Sequence, residues 1–495
     1  MKETYRGELF RDVVAALEQA GHKMCVLRNY QSYPESLGHD VDAISENPGQ
    51  IPHILSEQRV AAVVQYYRDE TLFLAGSMPI QAKHIYVLCR WHRNEPVFIQ
   101  LDVSAELRYF GRLFYGGEEF LRASRPFKFF KVPSAELEFG AYLIKHIAKR
   151  TLNEAKFRRL TELYKEDPAG CDRQLSRFFP KAEATFIADS VSRGDWKPVL
   201  SAIDRLKREL LDKAGREPPL RSLLHRLDAR WRRFERFVRP PGLMVAFLGV
   251  DGAGKSTVIA RVSLDLVPVF QDIKQYHKRT FPSAIEWTKR YLLRARPGKL
   301  EEEGVPVHKD GSVLRHDPPA QPPSKLHDPH ALQPRKLIVS LAGLGFKWVN
   351  YTLAGYAADI YPRLIRSTLV LLDRCYDDLL VDPKRYRYGG PAWLARAVGW
   401  FIPRPQLVIL LDAPAGVLYS RRRELPFEEI TRQREAYLEL TRNLPNGHVV
   451  DASKPLDEVV VRVEQVILDY MAERTARRSK YNLKSIFRGD LALRS

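Results

Sequence analysis

The sequence predicts an α/β protein with two folded domains and a helical segment between them. Apolar runs of strand length alternate with helical patterns over residues 241–470, which is typical of a parallel sheet. Residues 1–130 mix β-rich runs with helical spacing and indicate a smaller α+β domain, whereas residues 131–240 form a helical connector. Residues 471–495 are rich in Lys and Arg and are expected to form a basic tail. A length of 495 residues is sufficient for this organisation.

The composition is that of an ordinary soluble protein. Apolar residues make up 45% and charged residues 28%, which excludes a wholly disordered chain and a collagen-like fibre. The four cysteines, Cys25, Cys89, Cys171 and Cys375, form no Cys-x-x-Cys pair, which argues against a structural zinc site. Because the N-terminus also lacks the apolar run of a secretory signal, we expect a cytoplasmic location.

Charge and hydropathy set further limits. No stretch of 18 or more residues lacks charge, so no membrane-spanning helix is predicted. The most apolar long stretch, Leu337 to Tyr361, carries Lys347 and Asp359 and is predicted to be a core helix. The formal net charge of +19 attracts phosphate ligands, nucleic acid or an acidic membrane surface, and charge alone does not choose among them.

An amphipathic helix is predicted at 220–238, just before the Pro240-Pro241-Gly242 boundary. Arginines surround its apolar stripe of Leu220, Leu223, Leu224, Leu227, Trp231, Phe234 and Val238. Two interpretations stay open. The helix binds the anionic inner face of a membrane peripherally, or it packs on a neighbouring helix and leaves its basic face in solvent.

Three carboxylates mark the N-terminal domain. Asp40 and Asp42 lie one residue apart on a predicted strand and point to the same face, and Asp102 lies on a later strand. Such carboxylates can hold Mg²⁺ for nucleotidyl transfer; a solvent-facing acidic strand end is the alternative. Residues 8–130 resemble the nucleotidyltransferase superfamily of polymerase-β-like domains, although Arg28-Asn29 stands where that superfamily has Gly-Ser to anchor the triphosphate.

The most specific motif follows the boundary. The apolar run Leu243–Leu248 precedes Gly249-Val250-Asp251-Gly252-Ala253-Gly254-Lys255-Ser256-Thr257, which matches G-x-x-x-x-G-K-[ST], and a helical pattern follows. The glycines let the backbone turn and direct its N–H groups inward, and the helix N-terminus favours phosphate charge. Lys255 is predicted to reach the β/γ phosphates of ATP and Ser256 to bind Mg²⁺. The motif predicts a P-loop NTPase sheet whose nucleotide site comprises Gly249, Gly252, Ala253, Gly254, Lys255, Ser256 and Thr257.

Two later strands add charge at the same edge of the sheet. Leu369–Leu372 ends in Asp373-Arg374, where the carboxylate can hold Mg²⁺ and the guanidinium can bind an anion; a surface ion pair is the alternative. Leu407–Leu411 is followed by arginines at 421, 422, 423, 432 and 434. Because mobile arginines neutralise a transferring phosphoryl group, this stretch predicts a closing lid, with Arg422 among the catalytic residues; a solvated basic helix is the alternative.

Together these residues resemble the thymidylate kinase family over 242–470. The phosphate loop carries Asp251, and Asp373-Arg374 with Cys375-Tyr376 is similar to the family's Asp-Arg-aromatic motif. The arginine-rich stretch resembles the family's lid. The resemblance implies an ATP- and Mg²⁺-dependent phosphotransferase in which Asp251 and Arg374 orient the acceptor.

Two departures concern the acceptor. A Pro-rich stretch at 296–335 is predicted to be a long loop that the family lacks. The segment after the Asp-Arg motif resembles a divergent branch of the family that is associated with bacterial surface-polysaccharide gene sets. There we expect Arg385 and Arg387 to contact an anion and Asp377 or Asp378 a hydroxyl; a structural turn is the alternative.

Three functions are consistent with these observations. The first is a kinase that phosphorylates a nucleoside monophosphate such as dTMP, or a sugar or glycan acceptor. The second is a non-catalytic ATP-binding assembly factor at the membrane, and the third is a nucleic-acid end kinase. Only the net charge favours the third, because the chain has no aromatic-basic stacking pattern. A homodimer is a candidate assembly, and the acceptor is not identified by the sequence.

Overall fold

The computed structural model describes residues 2–479 with gaps at 29, 35, 38–39, 71–81, 111, 215–218, 278–332 and 424. The chain divides into two compact units, Met1–Glu235 with Asp469–Ser495 and Arg236–Leu468. The Pro-rich loop predicted at 296–335 lies outside the described residues except for its last three, and so do residues 480–495 of the predicted tail.

The first unit combines a mixed sheet with packed helices. Its elements are α1 (Lys2–Gln19), β1 (Met24–Val26), β2 (Asp40–Ser45), α2 (Ile51–Glu57), β3 (Ala62–Glu70), β4 (Ala82–His92), β5 (Glu95–Ser104), β6 (Glu106–Tyr109), β7 (Arg112–Gly116), α3 (Gly117–Arg122), β8 (Ser124–Phe127), β9 (Phe130–Pro133), α4 (Ala135–Lys149), α5 (Glu154–Glu166), α6 (Pro168–Phe178), α7 (Lys181–Arg193), α8 (Lys197–Ser201), α9 (Ile203–Lys213) and α10 (Pro219–Val238). The sheet has the order β1-β2-β5-β4-β3. β2 and β5 run parallel, and the other neighbouring pairs are antiparallel.

The helices predicted as a separate connector at 131–240 are, up to residue 235, part of the first unit. Leu143 and Ile147 of α4 share one hydrophobic core with Cys25 and Ile44 of the sheet. The expected boundary near residue 130 is therefore wrong. The sequence shows that one face of α4 is apolar, but only the fold shows that this face covers the sheet.

The apolar stripe of α10 is exposed where its side chains are described. Leu227, Trp231 and Phe234 all face solvent, and the rings of Trp231 and Phe234 lie 5.7 Å apart between centroids. Packing of these three side chains on a neighbouring helix, one of the two predicted alternatives, is not observed.

The second unit contains a parallel sheet flanked by helices. Its elements are β10 (Leu243–Leu248), α11 (Lys255–Asp265), β11 (Asp272–His277), α12 (Leu337–Val349), a π-helical segment (Asn350–Ile360), α13 (Tyr361–Ile365), β12 (Thr368–Asp373), α14 (Asp378–Val381), α15 (Ala392–Gly399), β13 (Leu407–Asp412), α16 (Ala415–Arg421), α17 (Phe427–Arg442), β14 (Gly447–Asp451) and the first part of α18 (Leu456–Ser479), whose residues from Asp469 onward belong to the first unit. The strand order β11-β12-β10-β13-β14, with every neighbouring pair parallel, confirms the predicted parallel α/β sheet. β10 is central and fully buried, so the loop after it opens at the carboxyl edge where such sheets bind ligands.

Two predictions about helices are corrected. Residues 471–479, expected to begin a basic tail, continue α18; Met471 and Ala476 are buried, and Thr475 Oγ1 donates to the carbonyl of Val64 at 3.2 Å. The apolar pattern of α18 persists to Ala476 and stabilises the helix by burial.

The helix over 337–365 is also not a core helix. By length and composition it is the one helix among the described residues that could cross a membrane, yet only 17% of its most apolar window is buried. Leu344, Ile360 and Leu364 are buried, whereas Ile338 and Phe346 are exposed. A helix that is apolar on most sides does not reveal from sequence which side its neighbours cover.

Candidate functional site

The phosphate-loop motif forms a tight turn between β10 and α11. Gly249, Gly252 and Gly254 have φ angles of 139°, 92° and 83°, a region that residues with a Cβ rarely adopt. A Cβ on Gly249 would lie 2.6 Å from the carbonyl oxygen of Leu411 in β13. The motif therefore requires glycine both for backbone conformation and for close packing on the neighbouring strand.

Lys255 lies within this loop and is only 7% exposed. Its Nζ donates to the carbonyl oxygens of Gly249 at 2.8 Å and Val250 at 3.1 Å. Burial, together with the nearby charge of Arg374, lowers the pKa of Lys255 to about 8. Because carbonyls are weaker partners for an ammonium than phosphate oxygens, a polyphosphate bound in the loop would raise the pKa of Lys255 again.

Ser256 and Asp373 meet at the mouth of the loop. Ser256 Oγ donates to Asp373 Oδ2 at 3.2 Å, and the register of β10 with β12 places Asp373 opposite Phe247. A hydroxyl and a carboxylate beside a phosphate loop form the hard oxygen donor set that Mg²⁺ prefers. The two residues predicted as metal ligands are thus brought together, and they fit that ion.

Asp251 is bound by two guanidinium groups. Arg374 Nη2 donates to Asp251 Oδ1 at 2.5 Å, and Arg385 Nη1 donates to Asp251 Oδ2 at 2.7 Å. Burial alone would raise the pKa of Asp251, but Arg374, Lys255 and Arg385 hold that pKa well below its ordinary value. Two predicted acceptor-side residues, Arg374 and Arg385, thus converge on a third beside the phosphate loop.

A buried carboxylate orients Arg374 from the other side. Asp378 is fully buried and accepts from Arg374 Nη1 at 2.8 Å, from the Tyr386 hydroxyl at 2.8 Å and from the Tyr437 hydroxyl. Arg374 has a φ of 78°, a backbone conformation that non-glycine residues adopt at a cost. Asp378 is therefore a positioning residue for Arg374 and not the contact to an acceptor hydroxyl that the sequence predicted.

The other candidate, Asp377, lies apart from this network. Its carboxylate accepts a long contact of 3.6 Å from Cys375 Sγ, and burial raises the pKa of Asp377. The two tyrosines on Asp378 were missed by the sequence analysis. Tyr386 stood within the predicted acceptor segment, but nothing local marks Tyr437, which is 59 residues from Asp378.

Four of the five predicted lid arginines separate into two groups. Arg421 Nη1 donates to the carbonyl of Ala452, and the Cβ atoms of Arg421 and Arg422 lie 3.7 and 3.2 Å from the position of a Cβ on Gly252. These two residues thus lie against the phosphate loop. Arg432 pairs with Glu429 and Arg434 with Asp412, and both ion pairs hold these arginines on α17 and β13. The structure does not bring Arg432 and Arg434 to the loop.

A cavity of about 250 Å³ lies beside the acceptor-side residues. It is bounded by α12, the π-helical segment and residues 386–388, with Arg335, Lys347 and Arg387 among its lining side chains. Lys347 Nζ lies 4.0 Å above the ring of Tyr386, whose hydroxyl binds Asp378. Arg387 therefore lines a cavity and does not contact Asp251, unlike Arg385.

The N-terminal carboxylates converge as predicted. Asp42 pairs with Asp102 in the parallel register of β2 and β5, and one oxygen each from Asp40, Asp42 and Asp102 lie within 4.8 Å of one another. Two cations already occupy this cluster. Lys83 binds Asp42 and, at 3.1 Å, Asp102, while Arg28 binds Asp42.

The pKa values of the two buried carboxylates shift in opposite directions. Burial opposes ionisation of Asp42, but Lys83 and Arg28 hold the pKa of Asp42 below its usual value. Burial raises the pKa of Asp102 against the opposing effect of Lys83. The oxygen donors fit Mg²⁺ in kind, but the ammonium of Lys83 lies between two of them.

Comparisons with known proteins find relatives for about 48% of the chain. No family model matches the chain. The thymidylate kinase of Xanthomonas campestris pv. campestris (strain B100) is 34% identical over 251 residues, which are 48% of this chain and 87% of that protein. The thymidylate kinase of Xanthomonas oryzae pv. oryzae (strain PXO99A) is 26% identical over 48% of this chain and 88% of its own length.

A solved thymidylate kinase from Ehrlichia chaffeensis is 17% identical, spans 46% of this chain and all of its own, and has a TM-score of 0.28. A TM-score of this size carries no argument about the fold, so the assignment rests on sequence similarity. The resemblance of residues 8–130 to nucleotidyltransferases stays a prediction. Through a region that covers about 48% of its length, the chain belongs to the thymidylate kinase family.

Proposed function

We propose that the protein is an ATP- and Mg²⁺-dependent kinase that phosphorylates a phosphorylated acceptor, with a nucleoside monophosphate such as dTMP as the first candidate. The observation that carries the proposal is the pairing of Arg374 and Arg385 on Asp251 directly beside the phosphate loop. A pair of guanidiniums binds phosphate through charge-assisted hydrogen bonds, so this pair is suited to an acceptor phosphate.

The residues of the phosphate loop bind different parts of ATP and its metal ion. The backbone N–H groups of residues 249–254 and the N-terminus of α11 receive the phosphates, and Lys255 leaves its carbonyl partners for the β/γ oxygens. Ser256 and Asp373 would hold Mg²⁺, which neutralises phosphate charge when bound. Arg422, against the loop, is placed to stabilise charge on the transferring group.

The acceptor residues position the second substrate in line with ATP. Arg374, held by Asp378, orients the acceptor phosphate, and Asp251 is placed to accept a hydrogen bond from the acceptor once a phosphate draws the guanidiniums away. Since the segment around Arg385 differs from that of thymidylate kinases, a sugar or glycan acceptor is the second candidate.

The test is ADP release by the purified full chain with ATP and Mg²⁺, first with dTMP and then with a panel of nucleoside monophosphates and sugar phosphates. We expect release that depends on one acceptor and is lost in Lys255→Ala but retained in Lys454→Ala, an exposed lysine outside the site. Turnover by Lys255→Ala at the unaltered rate would refute the kinase assignment. ATP binding with no acceptor-dependent release would favour the assembly factor.

We further propose that residues 8–130 adopt a nucleotidyltransferase-like fold with a metal site at Asp40, Asp42 and Asp102. The parallel register of Asp42 with Asp102 supports this proposal. Metal binding at this site requires the Lys83 ammonium to move away from Asp42 and Asp102. Titration of Mn²⁺ into the chain carrying Asp373→Asn is expected to reveal a site that is lost on adding Asp42→Asn. A chain with no Mn²⁺ bound after Asp373→Asn would refute it.

A cytoplasmic location, a homodimer and membrane binding through residues 220–238 also stay proposals. The exposure of Trp231 and Phe234 supports the last of these. A nucleic-acid end kinase has no further support beyond net charge.

A further inference from the structure

The second unit carries an exposed aromatic and aliphatic surface, here called the α12–α15 face. Ile338, Phe346 and Leu353 are exposed on the helix over 337–365. Trp393, Trp400 and Phe401, exposed by 66%, 75% and 71%, come from α15 and the turn that follows it. Soluble monomers rarely leave so many large apolar side chains together in solvent, so the face indicates an interaction surface.

These two groups of side chains belong to neighbouring elements. Leu344 of α12 and Ala395 of α15 lie in one buried cluster, together with Ile402. Both helices therefore turn their inward sides towards this one cluster and lie side by side on it.

The helix over 337–365 is held along one side by its own unit. Leu364 is buried, and its carbonyl accepts from the backbone N–H of Gly242 at 2.8 Å. Asp359 is bound by Arg363 at 2.9 Å and by the hydroxyl of Tyr276. A membrane-crossing helix needs apolar contacts all round, so this attachment favours a helix that lies in an interface and does not span it.

The segments that carry the exposed side chains are basic. Residues 333–358 contain Arg335, Lys336 and Lys347, and residues 389–406 contain Arg396 and Arg404; neither segment contains an Asp or Glu. Two-fold pairing of the face with a second copy would bring like charges together, with no carboxylate in these segments to compensate. An anionic partner is favoured instead.

We propose that the α12–α15 face docks the protein on an anionic phospholipid bilayer. Trp393 and Trp400 sit at the headgroup level, where tryptophan is enriched at membrane surfaces, and the exposed cations Arg335, Lys336, Arg396 and Arg404 contact lipid phosphates. This surface is distinct from the apolar stripe of α10. It does not depend on kinase activity, because none of its exposed aromatic side chains contacts the phosphate loop or the Arg374 network.

The experiment is co-sedimentation of the full chain with vesicles of phosphatidylcholine alone or with phosphatidylglycerol. We expect binding to the anionic vesicles, at least tenfold weaker binding to the neutral ones, and release by high salt. The double variant Trp400→Ser/Phe401→Ser should lose binding at least tenfold while retaining binding of ATP. The matched double variant Trp231→Ser/Phe234→Ser, on the α10 surface proposed above as another membrane contact, should lose less binding than the first variant.

Several outcomes would overturn the proposal. Equal loss in the two double variants, or loss only in the α10 pair, would place the contact elsewhere. Extraction from the vesicles by detergent but not by salt would indicate a spanning helix. A vesicle-independent dimer that Trp400→Ser/Phe401→Ser dissociates would assign the face to a second copy of the chain. Tryptophans already shielded from acrylamide quenching without lipid would show that the chain itself covers the face.

Discussion

Replacing Asp378 by Asn tests whether a buried carboxylate holds the acceptor-side arginine. The change conserves shape but removes the charge opposite Arg374, and it turns one acceptor oxygen into a donor that faces another donor. A hydrogen bond to a charged group contributes about 1.5–3 kcal/mol, and a buried donor left without an acceptor costs about 1–3 kcal/mol more. We therefore expect Asp378→Asn to lower the free energy of unfolding by about 3 kcal/mol.

Asp377→Asn is the matched control. The two carboxylates are adjacent in sequence, but Asp377 is only partly buried and has no guanidinium within ion-pair distance among the residues the structure describes. Burial raises the pKa of Asp377, so its ionised form is disfavoured in the folded state, and stability falls as pH rises through that pKa. Removing this charge should leave stability at pH 7 unchanged within about 1 kcal/mol, or increase it.

The measurement is urea unfolding of both variants, followed by circular dichroism. At a slope of about 3 kcal/mol/M, the loss in Asp378→Asn corresponds to a midpoint lowered by about 1 M. In addition, the acceptor KM of this variant should rise more than the KM for ATP, because Arg374 hydrogen-bonds to the acceptor-side residues Asp251 and Asp378. Equal midpoints for the two variants, or a larger loss in Asp377→Asn, would refute the reasoning.

Three further predictions concern the phosphate loop. Lys255→Ala should lower kcat by roughly 10²–10³-fold, as loss of a transition-state charge does, whereas Lys454→Ala leaves kcat unchanged in the same ADP-release assay. ATP affinity should fall as pH rises above about 8, because Lys255 is charged below its pKa and must take up a proton to bind phosphate above it. Calorimetry in two buffers of different ionisation enthalpy would detect this proton uptake at pH 8.5. ATP binding at pH 8.5 without proton uptake would contradict the role of Lys255 in binding phosphate. Gly249→Ala should destabilise the fold by about 2–4 kcal/mol and abolish ATP binding, since the new Cβ would meet the Leu411 carbonyl. The control Gly416→Ala, where the new Cβ would have open space around it, should be neutral or stabilise by up to about 1 kcal/mol. Thermal unfolding of both variants with and without ATP makes the comparison.

The phosphate loop could be derived from sequence because all its parts are contiguous. An apolar strand, a glycine-rich turn and a helix start follow one another over 243–257, and local hydrogen bonding and φ restrictions define the geometry. The placement of Asp373 followed from the same logic, since carboxyl ends of parallel strands meet at one edge.

The rest of the site could not be derived in this way. Asp378 was recognised as a polar residue near the acceptor, but its role depends on Tyr437, which only the packing of α17 brings to it. The sequence predicted Arg432 and Arg434 as lid residues, but in the fold they form ion pairs with Glu429 and Asp412. Sequence gives the number of arginines in a segment, and tertiary structure decides which of them already have carboxylate partners.

The exposed surface of the helix over 337–365 likewise could not be derived from the sequence. Its apolar composition determined that it is a helix with a large hydrophobic area, and nothing local determined which side is covered. By itself, the sequence determined the parallel sheet, the phosphate loop and the family, because strand and helix periods and backbone restrictions act over a few residues. The tertiary structure decided the charge network around Arg374, the shared core of sheet and helices and the exposed aromatic face, because these depend on contacts between residues far apart in the chain.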